Sequence, residues 1–412
     1  MLLGILTDNA ARDGHRRRPD HMDLTFTAQD EEFRLEARTW LEENKPTDHR
    51  PEDPLEARPF DVAWQRQQFD GGWAGISWPS EYGGRNLSLM EQLIWYEEYA
   101  RSGAPSVGVC FVGQAHAGPT IIARGTEEQK AEYLPQILRG DIVWCQGFSE
   151  PGAGSDLASL RTRAVIEGDE LVVNGQKIWT SYAQAADVQE LLVRTDPDVR
   201  KHQGITWVIN DMSYPGIEVR PIKNITGYYD FSEVYYDNVR IPLSKVVGEI
   251  NDGWSVAMST LSFERGTAFM ADIIELGRTV EHLVAAAHDL PGWDGKGRAW
   301  DDDYLRVELT RLRAEVASLR ALNFATVSRV ARHGNPGPES SYTRLYFGLL
   351  TQRTYDLASQ VTGGGRVFVG DAAEARWSLG YLNSFRNVIA AGTKDIQRTI
   401  IGERVLGLPK DR

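Results

Sequence analysis

The chain has 412 residues, 42% of them apolar and 25% charged, with a formal net charge of −13. That length exceeds one simple core and asks for two or three packed units, while the acidic balance argues against non-specific nucleic-acid binding, which needs a positive field. Two cysteines exclude a disulfide framework and point to a reducing compartment, so a cytoplasmic location is expected; the eight histidines show no ligand spacing, and no metal site is expected.

No stretch approaches the ~20 apolar residues that crossing a bilayer requires, so no membrane span is expected. Residues 1–21 read as a disordered extension. Met1–Thr7 is too short and lacks the basic leader of a signal peptide, and the polar stretch after it contains Arg16-Arg17-Arg18. Met22 directly precedes a helical pattern and is an alternative translation start. From 22 to 140 the pattern is mainly helical. Thr27 with Asp30 forms a capping signal, and Phe33, Ala37, Trp40 and Leu41 then share one face. Thr126 and Gln129 repeat the signal at capping-box spacing. Between them, Gly72-Trp73-Ala74-Gly75-Ile76-Ser77-Trp78-Pro79 reads as an aromatic-packed turn.

Residues 141–250 change character. Short apolar runs at Ile142–Trp144, Leu171–Val173, Ile205–Ile209 and Val234–Tyr236 are separated by turn signals at Glu167-Gly168-Asp169-Glu170, Asn174-Gly175 and Tyr214-Pro215-Gly216. Many short strands with frequent turns predict an antiparallel sheet or barrel. From 251 to 412 the pattern is helical again. Leu305, Leu309, Leu312, Val316 and Leu319 alternate by four and three, as in a helix-bundle seam. Arg306, Arg311, Arg313, Arg320, Arg329 and Arg332 on the same segment read as a solvated face, from which one or two side chains reach a pyrophosphate.

Two motifs carry chemistry. Gly147-Phe148-Ser149-Glu150-Pro151-Gly152-Ala153-Gly154-Ser155-Asp156 bends tightly and presents N–H groups to an acceptor-rich ligand. Lys177-Ile178-Trp179-Thr180-Ser181 ends a strand-like segment with a flat ring beside two hydroxyls. A planar ring system such as a flavin needs this pair: an apolar face, and hydrogen bonds along one edge. The two motifs at this spacing resemble the acyl-CoA dehydrogenase family, whose Ser/Thr-Glu-x-x-small-Gly-Ser/Thr-Asp loop precedes a Trp-containing strand. Phe148 stands where that family usually has a branched aliphatic residue.

The resemblance covers residues 22–412, since helices, a small β unit and helices is the family's order. It implies an α+β fold: an N-terminal helical domain at 22–140, a middle antiparallel β-barrel domain at 141–250 and a C-terminal four-helix-bundle domain at 251–412. It implies FAD as cofactor, with Gln146, Phe148, Ser149 and Ser155 around the flavin's pyrimidine edge and the start of the substrate's CoA arm. Trp179 is implied to stack beside the isoalloxazine. Ser181 stands where most relatives have Thr, with its hydroxyl near the ring nitrogen that accepts hydride. Gln360-Val361-Thr362-Gly363-Gly364-Gly365 resembles a Gln-x-x-Gly-Gly stretch that meets the ADP part of FAD on a partner subunit. Gln360 and Gly364 carry over, but Arg366 replaces a usual glycine. Thr393 carries over as an FAD contact.

Removing an α-proton and a β-hydride needs a base and an electron sink. Many members carry the base in a Glu-Gly-Thr triplet, which here reads Ala391-Gly392-Thr393. Isovaleryl- and long-chain-type members use a Glu within a Glu-Arg pair instead, present here as Glu264-Arg265. Glu264 is therefore the expected base, and Arg265 is expected in structural pairing or CoA binding. The resemblance also implies that a backbone N–H near Ala391, with a ribityl hydroxyl of the flavin, stabilises the thioester oxygen; a main-chain donor does not depend on the side chain, so the loss of Glu at 391 need not remove it. The implied reaction turns an acyl-CoA into its trans-2-enoyl-CoA, with electrons passed to an electron-transfer flavoprotein. A branched, bulky or alicyclic acyl group is expected, in a homotetramer or heterotetramer. Two alternatives stay open: a flavin monooxygenase or oxidase on this fold, and one subunit of a heteromeric dehydrogenase.

Overall fold

The computed structural model describes residues 26–263, 269–292, 295–333, 337–363 and 372–410. The expected extension, Glu264, Arg265, Gly364 and Arg366 lie outside them. The described residues fall into two compact units, one within the ranges 39–88 and 103–264, the other within 1–38, 89–102 and 265–412. The helices are α1 (Ala28–Asn44), α2 (Pro54–Asp70), α3 (Leu89–Ser102), α4 (Gly118–Arg124), α5 (Glu127–Arg139) and α6 (Gly253–Phe263). They continue with α7 (Phe269–Asp289), α8 (Asp303–His333), α9 (Ser340–Thr362), α10 (Ala372–Ser384) and α11 (Lys394–Ile400).

The first unit holds one sheet. Its strands are β1 (Trp144–Gly147), β2 (Arg163–Glu167), β3 (Glu170–Ser181), β4 (Val188–Arg194), β5 (Ile205–Asp211), β6 (Ile217–Ile222), β7 (Phe231–Pro242) and β8 (Val246–Val247). They run in the order β6-β7-β3-β2-β4-β5-β8, with β1 alongside β4. Most neighbours are antiparallel, as expected from the turns. Two details refine the expected barrel: β1 and β2 meet β4 in parallel, and the hydrogen-bonded path from β6 to β8 does not close. Parallel neighbours are joined by long connections, which leave no tight-turn signal to read.

The Glu167–Glu170 hairpin turns at Gly168 and the Tyr214–Gly216 turn at Gly216, both with positive φ. Asn174-Gly175 is not the expected turn. It lies inside β3, where pairing with β7 slips. Gly175 has φ +152°, and a Cβ there would sit 2.7 Å from Thr162. A glycine inside a strand marks such a bulge or close approach. Trp73 and Trp78 are buried, as the aromatic-turn reading requires, and the Trp78 indole donates to the Gln114 carbonyl at 3.2 Å.

β4 is buried from end to end. Val188 and Leu192 enter one core with Tyr133, Ile137, Trp144 and Trp207, while Leu191 and Val193 enter another with Cys145, Leu171, Val173 and Val234. Period-two alternation thus feeds both faces. Its polar residues Gln189, Glu190 and Arg194 are consequently buried and must bond inside the protein. Helix α5 begins at the capping box read from sequence, with Thr126 and Gln129 bonded reciprocally at 3.3 and 3.1 Å.

In the second unit all five residues of the α8 seam are buried. They pack with Leu276 and Leu283 of α7 and with Phe347, Leu350 and Leu357 of α9. The Thr27–Asp30 cap starts α1, with reciprocal bonds of 3.2 and 2.7 Å. Helix α3 joins α7 and α8 through Leu93 against Met270 and Val327. An ion cluster around the buried Glu97 and Glu98 reinforces this. Arg34 donates to Glu97 and Glu98 at 2.8 Å each, Arg38 to Glu98 at 2.8 Å, and Arg320 to Glu97. Of the other arginines of α8, Arg306 pairs with Asp303, Arg311 with Glu308, Arg313 with Glu281 and Arg329 with Glu339.

Candidate functional site

Strand β1 delivers the loop. Its parallel pairing sets Gln146 opposite Glu190 and Gly147 opposite Leu191. Gly147 is a glycine for steric reasons, since a Cβ would lie 2.7 Å from the Gln189 amide. Gly152 and Gly154 are different. A Cβ at either would meet nothing within 4 Å, and neither has positive φ. The chain itself does not require glycine there. Space beside a bare backbone suits a ligand's close approach.

A buried ion pair holds the loop in place. Lys177 on β3 has no exposed surface, and its ammonium donates to the Phe148 carbonyl at 3.0 Å and to Glu150 at 2.8 Å. Glu150 also accepts from the backbone N–H groups of Arg161 and Thr162, at 2.6 and 2.8 Å. Burial pulls the lysine down to about 8 against the pull of the Glu150 charge. Burial would raise the Glu150 carboxyl, but Lys177 and the hydrogen bonds from Thr162 outweigh it and hold it below its ordinary value. The pair is therefore charged at neutral pH. Downstream, the Arg194 guanidinium donates to the carbonyls of Ala158, Leu160, Lys201 and Gln203 at 2.5–3.3 Å. Ser155 is exposed on this pinned loop, beside an Asp156–Lys201 pair of 2.7 Å.

The Trp strand meets the loop directly, because the Ile178 N–H donates to the Ser149 carbonyl at 2.9 Å. Immediately after, the pairing of β3 with β7 slips between Lys177 and Thr180. Trp179 takes φ +61° and leaves its indole 57% exposed, with the Phe231 ring edge-on at 6.1 Å. A left-handed conformation costs an L-residue roughly 1–2 kcal/mol. Strain of this kind, spent on keeping a large aromatic uncovered, is a mark of a functional position. Thr180 is buried, and Ser181 is half-buried opposite Phe231.

The structure thus brings Gln146, Phe148, Ser149, Trp179 and Ser181 together in the sheet unit. The Phe148 side chain is buried and packs in the core there. In the helical unit Gln360 is exposed near the end of α9, which stops at Gly363 with φ +74°. The Thr393 hydroxyl caps α11, accepting from the Ile396 N–H at 3.3 Å. Ala391 is exposed at φ +53°, and the Gln397 amide donates to its carbonyl at 3.0 Å. Among the described residues nothing accepts its N–H, so a main-chain donor is available at that turn. The sequence reading missed the Lys177–Glu150 clamp and the Arg194 pin. A lysine within an apolar strand that follows a motif glutamate was the available signal for the first.

These residues fit a flavin: an exposed indole, hydroxyls beside it, and a glycine loop open on one side. Sequence profiles described as the N-terminal, middle and C-terminal domains of acyl-CoA dehydrogenase match residues 27–141, 145–239 and 251–406. The chain is 37% identical to acyl-CoA dehydrogenase IpdE1 of Mycobacterium tuberculosis over 92% of its length and 98% of the relative's. A solved structure described as the Tcur3481-Tcur3483 steroid ACAD superimposes with a TM-score of 0.83 at 33% identity, covering 95% of this chain and all of that one. The ChsE4-ChsE5 complex from Mycobacterium tuberculosis gives 0.78 at 33% identity, with the same coverage.

Proposed function

Since this chain belongs to the acyl-CoA dehydrogenase family, a class of FAD-dependent oxidoreductases acting on CH–CH bonds, we propose that it converts an acyl-CoA thioester to its trans-2-enoyl-CoA. Bound FAD supplies the electron sink for the β-hydride. The observation that carries this reading is the Trp179 bulge set against the Gly147–Asp156 loop through the Ile178–Ser149 bond and the Lys177–Glu150 clamp. The clamp fixes where the loop's N–H groups point, and the bulge keeps the indole uncovered for a planar partner. The Ser181 hydroxyl is then the donor toward the ring's hydride-accepting edge.

In this reading Glu264 takes the α-proton, because the alternative position carries Ala391. The main-chain N–H at Ala391 polarises the thioester oxygen while the α-carbon loses its proton. Ser155 contacts the start of the CoA arm. Arg265 pairs structurally or binds CoA. Gln360, Gly364 and Thr393 serve FAD, Thr393 through its backbone since its hydroxyl caps a helix. Neighbours described as a steroid ACAD and as two-chain complexes support a bulky alicyclic acyl group and assembly with a second, similar chain. Electrons leave to an electron-transfer flavoprotein.

Anaerobic titration with a panel of acyl-CoA thioesters tests cofactor, reaction and substrate together. Bulky alicyclic thioesters should bleach the flavin's visible absorbance and yield the enoyl product. A flavin that no thioester bleaches, with or without a co-expressed partner chain, refutes the reading.

A further inference from the structure

Behind the flavin loop lies a buried polar cluster. Glu190 has no exposed surface and Gln146 is half-buried. The Gln146 Nε2 lies 2.8 Å from Glu190 Oε1 and 3.2 Å from His116 Nδ1, and that His116 nitrogen is 3.5 Å from the same carboxylate oxygen. A carboxylate only accepts, so the amide nitrogen and not its oxygen faces Glu190. Its second N–H lies within reach of His116 Nδ1, an acceptor in the tautomer that carries the ring proton on Nε2. Both amide hydrogens are then used. The Gln146 Oε1 takes no hydrogen bond from any described residue.

This arrangement is costly. Burying a carboxylate carries a large desolvation penalty, and apolar residues of similar size would pack the same space at less cost. His116 is seated by a π-turn at Gly113–Ala117, an irregularity that recurs at functional sites. The Thr120 hydroxyl holds the His116 carbonyl at 2.8 Å, and the Phe111 ring closes edge-on at 4.9 Å. The parallel register of β1 on β4 fixes Gln146 over Glu190, one residue before the loop begins.

We propose that Gln146 Oε1 is the acceptor for the imide N–H of the flavin's pyrimidine ring, and that Glu190 acts through it as a positioning residue whose negative charge lowers the flavin's reduction potential. The inference rests on the proposed flavin-binding function and names the residues that tune it. An amide that donates to a carboxylate becomes a stronger acceptor at its own oxygen. An anion behind the ring's edge also opposes the arrival of electrons.

Two measurements on the FAD-loaded protein decide it. In Glu190→Gln the midpoint potential should rise, shifting the reduced-to-oxidised ratio at a fixed potential about tenfold, or ~30 mV for a two-electron couple. The wild-type protein should hold N3-methyl-FAD, which lacks the imide N–H, about tenfold more weakly than FAD, and Gln146→Met should narrow that preference. An unchanged potential in a folded, flavin-bearing Glu190→Gln overturns the charge role. Equal retention of the two flavins by the wild type overturns the acceptor role, and this arm stands even if Glu190→Gln does not fold. A wild type that binds neither flavin refutes the underlying function instead.

Discussion

Lys177 shows how one buried charge sets a binding loop. Replacing it with Met leaves Glu150 buried with only two amide partners, and removing one member of such a pair costs about 3–5 kcal/mol. Urea denaturation should show the lower midpoint, and FAD retention should fall with it because the Phe148 carbonyl loses its anchor. Ser181→Ala is the milder change. One hydrogen bond worth about 0.5–1.5 kcal/mol is lost while the Trp179 surface remains, so flavin reduction should slow with FAD still bound. Stopped-flow reduction kinetics identical to wild type would mean that the hydroxyl points elsewhere. Glu264→Gln keeps shape but accepts no proton, and turnover should drop by ~10²–10⁴-fold while thioester-induced spectral shifts persist. Near-normal turnover in that variant would assign the base to another residue or to a partner chain.

At the scale of elements, the contact of α3 with α1 and α8 depends on charge as much as on packing. Burial alone would raise the Glu98 carboxyl, but hydrogen bonds from Arg38 and Arg34 outweigh it and depress its pKa. A depressed carboxylate adds stability above its unfolded value, and that contribution fades as pH falls through the folded one. Thermal melts should therefore lose stability below about pH 4.5, the ordinary glutamate value, and Arg34→Met should both lower the melting temperature at neutral pH and flatten that acid limb. An acid limb of unchanged slope would rule out the Glu98 contribution. Caps and seams behave more simply. Thr126→Ala removes half of a capping box at about 1 kcal/mol. Leu312→Ala opens a cavity in the seam at ~2–5 kcal/mol.

For the whole molecule, the glycine block after Gln360 and the two-chain neighbours lead to one expectation: co-expressed with a second, similar chain, the protein should run as a four-chain assembly. Light scattering that finds a monomer with full FAD occupancy would contradict it. Much of the architecture was legible in the sequence. The capping boxes at Thr27 and Thr126, the α8 seam and the loop–Trp pair are local patterns, each encoded within a few residues by periodicity or by a residue's conformational range. What tertiary structure alone decided is which distant partners those residues meet. Asn174-Gly175 has the composition of a turn, yet two flanking strands hold it extended as a bulge. The Leu89–Ser102 helix reads as part of the first helical stretch, but apolar packing and the Arg34, Arg38 and Arg320 charges group it with helices that follow far later. Gln146 was legible as a loop residue. That it stands over a buried glutamate follows only from the parallel register of β1 on β4. Periodicity and turn chemistry are short-range and can be read along the chain, whereas strand register and the pairing of buried charges are settled by desolvation among segments that meet only on folding.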